Sequence, residues 1–379
     1  MDFGVSFEQQ KRCDTIFEEA SARWGQGPVG TDDPDATRAA FREAGRLGLT
    51  GLCLPRDVGG GGLGALDTAL CLQAFGRGCA DLGLAFAVAA HLLACAVPVR
   101  DFGSEKARGE LLAGLASGEL IASNAMTEDE AGSDVGALRT AARRAGSGFV
   151  LDGRKSWASN APVADVVVTY AVTDPDAGFL GMSAFGLPSR RPGLVLGSPL
   201  PKMGLTGCLA GQVHFEECAV PEEYLLGEEG QGSAVFQHSM AWERACLFGI
   251  YLGMMERQLG QVVEHVSQRR QFGHRLGEFQ GVSHKVAVMR QRLESAQLLL
   301  YRACWLMDEG RDPVAAVALS KVAVSEAAVH NSTDAVQLFG GRGYLAGGAE
   351  EQLRDSVPST LFSGTTEIQR ELIAKDLGL

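Results

Sequence analysis

Apolar and polar positions along the chain change period twice. Over residues 1–122 apolar residues recur at helical spacing, with breaks at Asp33-Pro34 and in the run PRDVGGGGLG at 55–64. Pro lacks a backbone donor and Gly eases tight turns, so both interrupt a helix. Between residues 123 and 225 the helical period fades. Short β-branched or alternating runs replace it at 149–151, 165–172, 193–196 and 212–215, separated by turns such as Asp152-Gly153. From residue 226 the helical spacing returns. Val282, Val286, Met289, Leu293, Ala296, Leu300, Ala303 and Met307 step by four and three, the apolar seam of one long helix packed in a bundle or against another subunit. The pattern predicts an α+β chain with a helical N-terminal domain at 1–122, a β domain at 123–225 and a helical C-terminal domain at 226–379.

Composition narrows the function. The chain is 46% hydrophobic and 21% charged, which excludes a disordered or fibrous protein. Its net charge of -12 disfavours a nucleic-acid partner, which calls for a basic face. The nine cysteines form no CxxC pair and sit beside apolar residues. That predicts reduced core thiols, a cytoplasmic setting and no bound metal. The first fourteen residues lack the apolar core of a secretory leader. Residues 82–99 are apolar apart from His91 and just reach the roughly 18 residues a membrane span needs. Gly83, Pro98 and the flanking Asp81 and Arg100 favour a buried helix instead, with no membrane partner. No GxGxxG follows a predicted strand and no GK[ST] follows the glycine run, so neither a Rossmann nucleotide site nor a P-loop is expected.

Six segments are able to carry chemistry. AMTEDEAGSD at 125–134 offers small and hydroxyl residues that let backbone approach a planar or phosphorylated ligand. KSWASN at 155–160 places a flat Trp157 face and a Ser159 donor two residues apart, on one side of a regular strand. The pair Arg269-Arg270, followed by Phe272 and Gln280, suits a pyrophosphate, because guanidinium forks onto phosphate oxygens. QLFGGRGY at 337–344 breaks a helix with glycines. SGTTEIQR at 363–370 reads as a helix start, whose free N–H groups attract phosphate or polar ring oxygens. Last, Glu243 opens an apolar helix and has no basic residue at i±3 or i±4. Burial of such a carboxylate raises its pKa and makes it a candidate general base. Each segment also has a plain structural reading: an acidic turn, a core Trp, a solvated basic turn, a helix end, a helix start, a Glu paired across the fold.

Taken in order, GLCLPRDVGGGG (51–62), AMTEDEAGSD, GRKSWASN, LLGEEGQG (225–232), RRQFGHRLGEFQ (269–280), VQLFGGRGY, LRD (353–355) and SGTTEIQR resemble the acyl-CoA dehydrogenase family over nearly the whole chain. The resemblance implies a helical N-terminal domain, a barrel-like middle β domain, a C-terminal four-helix bundle, bound FAD and a homotetramer. By position, Met126 and Thr127 would meet the flavin ring, and Gly132 and Ser133 would lie near its pyrophosphate or the substrate thioester. Trp157 would lie against the ring, with Ser159 near N5, and Thr365 and Glu367 would reach the cofactor from the last helix start. Arg269, Phe272, Gln280, Gln337 and Gly341 would serve the FAD of a neighbouring subunit.

The family's reaction removes two hydrogens from an acyl thioester, with a carboxylate taking the α proton. Most members place that Glu just before the Gly-Thr of the last motif, where this chain has Ser363. A minority resembling the isovaleryl-CoA dehydrogenases places it on the first long C-terminal helix, and Glu243 falls there. Arg244 matches an arginine near the substrate arm. Ala241 replaces a polar residue that touches pantetheine in many CoA users, and WERACLFGIYLG is similar to members acting on prolyl or aminoacyl groups tethered to carrier proteins. CoA and an acyl or peptidyl carrier protein both remain open as the thioester carrier, and an electron-transfer flavoprotein and oxygen as electron acceptor. A flavin monooxygenase or a non-catalytic flavoprotein on the same scaffold are the alternatives.

Overall fold

The computed structural model describes residues 4–27 and 33–379. The N-terminal helices are α1 (Phe7–Trp24), α2 (Pro34–Arg46), α3 (Ala65–Gly78), α4 (Leu82–Ala90), α5 (Val97–Phe102) and α6 (Glu105–Ser117). Their starts follow local chemistry. Ser6 and Gln9 close a capping box on α1, and Asp33 caps α2 with Pro34 in its first turn.

A π turn at His91–Ala96 joins α4 to α5. The resulting Leu82–Phe102 rod is long and apolar enough to cross a bilayer, yet its most apolar window is 100% buried inside the protein. It is the central core helix. His91 lies wholly inside it. Its Nδ1 accepts from the Ala122 backbone N–H at 2.9 Å, so its Nε2 donates to the Leu115 carbonyl at 3.1 Å. Burial pushes the imidazole pKa down to about 4. A neutral ring thus ties the helical layer to the first strand.

The β domain contains β1 (Ala122–Ala125), β2 (Ala141–Ala145), β3 (Gly148–Ser159), β4 (Val166–Val172), β5 (Met182–Pro188), β6 (Leu194–Leu196), β7 (Ala210–Pro221) and β8 (Leu225–Leu226). The sheet order is β6-β7-β3-β2-β4-β5-β8, with β1 parallel beside β4. One core, built on Phe149, Leu151, Phe185 and Phe215, lies within this domain. The other face of the sheet contributes Tyr170 and Met182 to the large core shared with the helices.

The C-terminal part runs α7 (Gly232–Trp242), a π turn at Glu243–Leu247, α8 (Gly249–Gln268), the hairpin β9 (Arg270–Gln271) and β10 (His274–Arg275), then α9 (Gln280–Asp308), α10 (Val314–Phe339), α11 (Ala349–Ser356) and α12 (Thr366–Asp376). The expected seam lies on α9. Met289, Leu293, Ala296, Leu300 and Ala303 are buried, and Val282, Val286 and Met307 flank them half-buried. Helices α8, α9 and α10 pack on one another, and α3 joins them. The α3–α8 contact is close because it is lined with glycine. A Cβ on Gly253 would lie 2.0 Å from the Gln73 carbonyl oxygen, so any larger residue forces the helices apart.

Candidate active site

The π turn at Glu243–Leu247 inserts one extra residue into the helical register. Such turns redirect side chains and recur at functional positions. Here the turn carries Glu243 and Arg244 into the interior, where they are 6% and 9% exposed. Glu243 Oε1 accepts a hydrogen bond from the Ser363 hydroxyl. Glu243 Oε2 is buried and has no hydrogen-bond partner among the described residues. Burial pushes the Glu243 carboxyl above its usual range, while the Ser363 hydroxyl and the Arg244 guanidinium pull it partly back. A buried, raised carboxylate with one free oxygen is the form a general base takes.

Arg244 completes the arrangement from the other side of the same residue. Its Nε donates to the Ser363 carbonyl at 2.7 Å. Ser363 and Gly364 both adopt left-handed backbone, at φ +55 and +86. For serine that conformation is uncommon, and here the Glu243 and Arg244 bonds hold it. The turn delivers Thr365 to the start of α12, where its hydroxyl accepts from the Ile368 N–H. The α12 start, with its free N–H groups, thus lies two residues from the contact with Glu243.

The segment after β1 is pinned to β3. Lys155 is fully buried, and its Nζ donates to the Met126 carbonyl at 3.0 Å and to Glu128 Oε1 at 2.9 Å. Glu128 also accepts from the backbone N–H groups of Arg139 at 2.8 Å and Thr140 at 2.9 Å. Burial costs the ammonium more than Glu128 returns, so its pKa falls to about 8. The Thr127 carbonyl accepts from the Ser156 N–H at 2.8 Å. Met126 is buried, Thr127 is half-buried, and Gly132 and Ser133 are exposed farther along the same segment.

Trp157 and Ser159 line one cleft of about 490 Å³ together with Phe86, Met203, Leu361 and Phe362. They reach it through a β-bulge between Lys155 and Ala158, not by plain alternation. The bulge puts Trp157 at φ +56 and leaves its indole 56% exposed. An open apolar slot floored by an exposed indole, with one hydroxyl at its edge, fits a planar heteroaromatic ring such as isoalloxazine.

The remaining predicted residues gather elsewhere. Arg269 caps the end of α8, Phe272 tips the following hairpin at 93% exposure, Gln280 opens α9, and Gln337 and Gly341 flank the end of α10. Contacts between His265 and Phe339, ring centroids 4.8 Å apart, and between Asp334 and Lys285 at 2.6 Å bring these three helix ends together. At 1.5 Å rise per residue, α8 separates Arg269 from Glu243 by roughly 35–40 Å. Glu367 is exposed in the first turn of α12.

Two features lay outside the sequence reading. Lys155 and Glu128 stand inside quoted motifs without an assigned role. The signal was strand parity, because Lys155 shares the face of Phe149 and Leu151. Ser363, noted as a missing acid, hydrogen-bonds the Glu243 carboxylate.

The acyl-CoA dehydrogenase N-terminal domain matches residues 18–119, the middle domain residues 123–218 and the C-terminal domain residues 230–378. An L-prolyl-[peptidyl-carrier protein] dehydrogenase of Pseudomonas fluorescens is 54% identical over 337 residues, covering 88% of this chain and 89% of that protein. A protein of the same name from a Serratia species is 40% identical over 388 residues, covering 100% of this chain and 99% of the relative. The solved structure of PigA with FAD and proline superposes with a TM-score of 0.94 at 39% identity, over 100% of both chains. With all three of its parts matched in sequence order and relatives well above 30% identity along most of its length, the chain belongs to the acyl-CoA dehydrogenase family.

Proposed function

We propose that this chain is an FAD-dependent dehydrogenase of a prolyl thioester carried on a peptidyl carrier protein. The supporting observation is Glu243, a buried carboxylate with one oxygen held by Ser363 and the other without a partner among the described residues. The relatives named for prolyl carriers supply the substrate class.

FAD, bound in the Trp157–Ser159 cleft and against the start of α12, supplies the acceptor for the hydride that leaves Cβ. The rest is work for side chains. Glu243 Oε2 takes the proton from Cα, the Cα–H bond breaks, and its electron pair becomes the new Cα=Cβ bond as hydride departs. The raised pKa makes Glu243 a stronger base than an exposed carboxylate. Ser363 fixes Oε1 and so aims Oε2. Arg244 fixes Ser363 through its carbonyl and, near the thioester arm, adds positive charge where enolate-like charge develops. Ser133 stands on the loop that would border the thioester. Met126, Thr127, Gly132, Trp157, Ser159, Thr365 and Glu367 form the cofactor wall.

Arg269, Phe272, Gln280, Gln337 and Gly341 gather at the end of α8 remote from Glu243. They suit the dinucleotide of an adjacent subunit, as a homotetramer of this family would arrange. Electrons then pass to an electron-transfer flavoprotein or to oxygen.

The test is an anaerobic spectral titration of the FAD-loaded protein. Prolyl-carrier thioester is expected to bleach the flavin stoichiometrically, and short straight-chain acyl-CoAs are not. Bleaching by acyl-CoAs alone would contradict the carrier assignment.

A further inference from the structure

Tyr170 lies on β4 and is fully buried. Its ring meets Phe236 edge-on, with centroids 5.5 Å apart. Among the described residues its hydroxyl makes no hydrogen bond of good geometry, and the Ser239 side chain is the polar group placed to interact with it. The groups near enough to act on that hydroxyl are Ser239, Cys95 and Glu243.

These groups form a polar patch in an apolar interior. Ser239 precedes Glu243 by four residues on the same helical face, so the two side chains lie one turn apart. The Ser239 hydroxyl donates to the Phe236 carbonyl at 3.2 Å, which uses its proton and leaves its lone pairs available. Glu243 adds its unpartnered Oε2. Tyr170, Ser239 and Glu243 thus bring polar side chains into the large apolar core that also holds Val168, Met240, Cys95 and Phe236.

A plain acyl chain offers such a patch nothing, and an unpaired buried hydroxyl is unfavourable. A prolyl group differs from its carbocyclic analogue at one atom. Its ring nitrogen is bonded to the same carbon whose proton Glu243 removes, so its N–H groups necessarily lie within a bond of the reacting centre. We propose that Tyr170, with Ser239 beside it, accepts a hydrogen bond from the prolyl ring nitrogen and so selects an aminoacyl thioester over a simple acyl one. The inference rests on the prolyl reading above and assigns a specificity residue to it.

The test compares two carrier-bound thioesters of nearly equal shape, prolyl and cyclopentanecarbonyl, with wild type and Tyr170→Phe. The ratio of kcat/KM for prolyl over cyclopentanecarbonyl is expected to fall on the order of 10- to 100-fold in the variant, the loss typical of one hydrogen bond to a charged or polar buried partner. Ser239→Ala is expected to lower the same ratio by a smaller factor. FAD content and the flavin spectrum report whether each variant has folded. A second readout needs no turnover. Binding of free L-proline, followed by perturbation of the flavin spectrum, is expected to weaken in Tyr170→Phe, while binding of cyclopentanecarboxylate is not. An unchanged ratio in a folded variant, or equal loss on both thioesters, overturns the assignment and leaves the prolyl reading intact. Wild type that consumes cyclopentanecarbonyl but not prolyl thioester overturns both.

Discussion

The hydroxyl of Ser363 donates to Glu243 Oε1, across 120 residues of sequence, while the Ser363 carbonyl accepts from Arg244. Most of the family places its acid at the position held here by Ser363. In this chain the two positions still meet, with a carboxylate on the π turn and a serine hydroxyl from the last motif bonded to it.

This relationship fixes the direction of one pH effect. Burial raises the Glu243 pKa and the Ser363 hydrogen bond lowers it in part. Glu243 must be unprotonated to accept the α proton, so activity falls as pH drops through its raised pKa. In Ser363→Ala the lowering influence is lost and the acid limb of the kcat/KM profile moves to higher pH. A limb that stays in place or moves lower would show that Ser363 does not hold the base.

Arg244 acts on the same turn. Arg244→Gln removes the bond that steadies Ser363 in its left-handed backbone. Turnover of the FAD-loaded protein is expected to drop by about 10- to 100-fold, with the larger share in kcat, because the aim of the base degrades more than substrate capture. Steady-state kinetics that show a change in KM alone would count against this role.

Much of this was legible beforehand, and the reasons are local. The α9 seam shows because apolar residues on a packed helix repeat at three and four. Glu243 stood out because a helical carboxylate without an i±4 partner, beside an unbroken apolar run, has to find its partner elsewhere. The π turn that carries it left no trace, since one extra residue in a helix is stabilised by its packing and not by a residue type. Strand β2, with sequence AARRA, has no β-branched or aromatic residue and is held by its pairing to β3. The Trp157–Ser159 side-sharing was expected from alternation, and a bulge achieves it instead.

The Lys155–Glu128 pair links the segment carrying Met126 to the strand carrying Trp157. Lys155→Met leaves Glu128 charged and stripped of its cation in a buried site. Unfolding by denaturant is expected to show a loss of about 3–5 kcal/mol, with weaker FAD retention. The double variant Lys155→Met, Glu128→Gln should recover much of the stability and little of the cofactor affinity. Equal recovery of both would remove the pair from the cofactor wall.

The bundle-end residues carry an oligomer prediction. Arg269→Ala is expected to weaken FAD binding by about 1.5–3 kcal/mol, the range for a hydrogen bond to a charged group, although Arg269 lies at the end of α8 remote from Glu243. Wild-type FAD affinity should also rise with protein concentration as subunits associate. Equilibrium dialysis over a dilution series reads both. Affinity independent of both Arg269 and concentration would place the cofactor within one chain alone.

The base assignment is tested most directly by one anaerobic experiment. FAD-loaded wild type and Glu243→Gln are mixed with prolyl-carrier thioester and the flavin absorbance is followed. Wild type is expected to bleach, and the variant, still yellow and still binding substrate, to remain oxidised. Bleaching of Glu243→Gln at the wild-type rate would contradict the assignment of Glu243 as the group that takes the α proton.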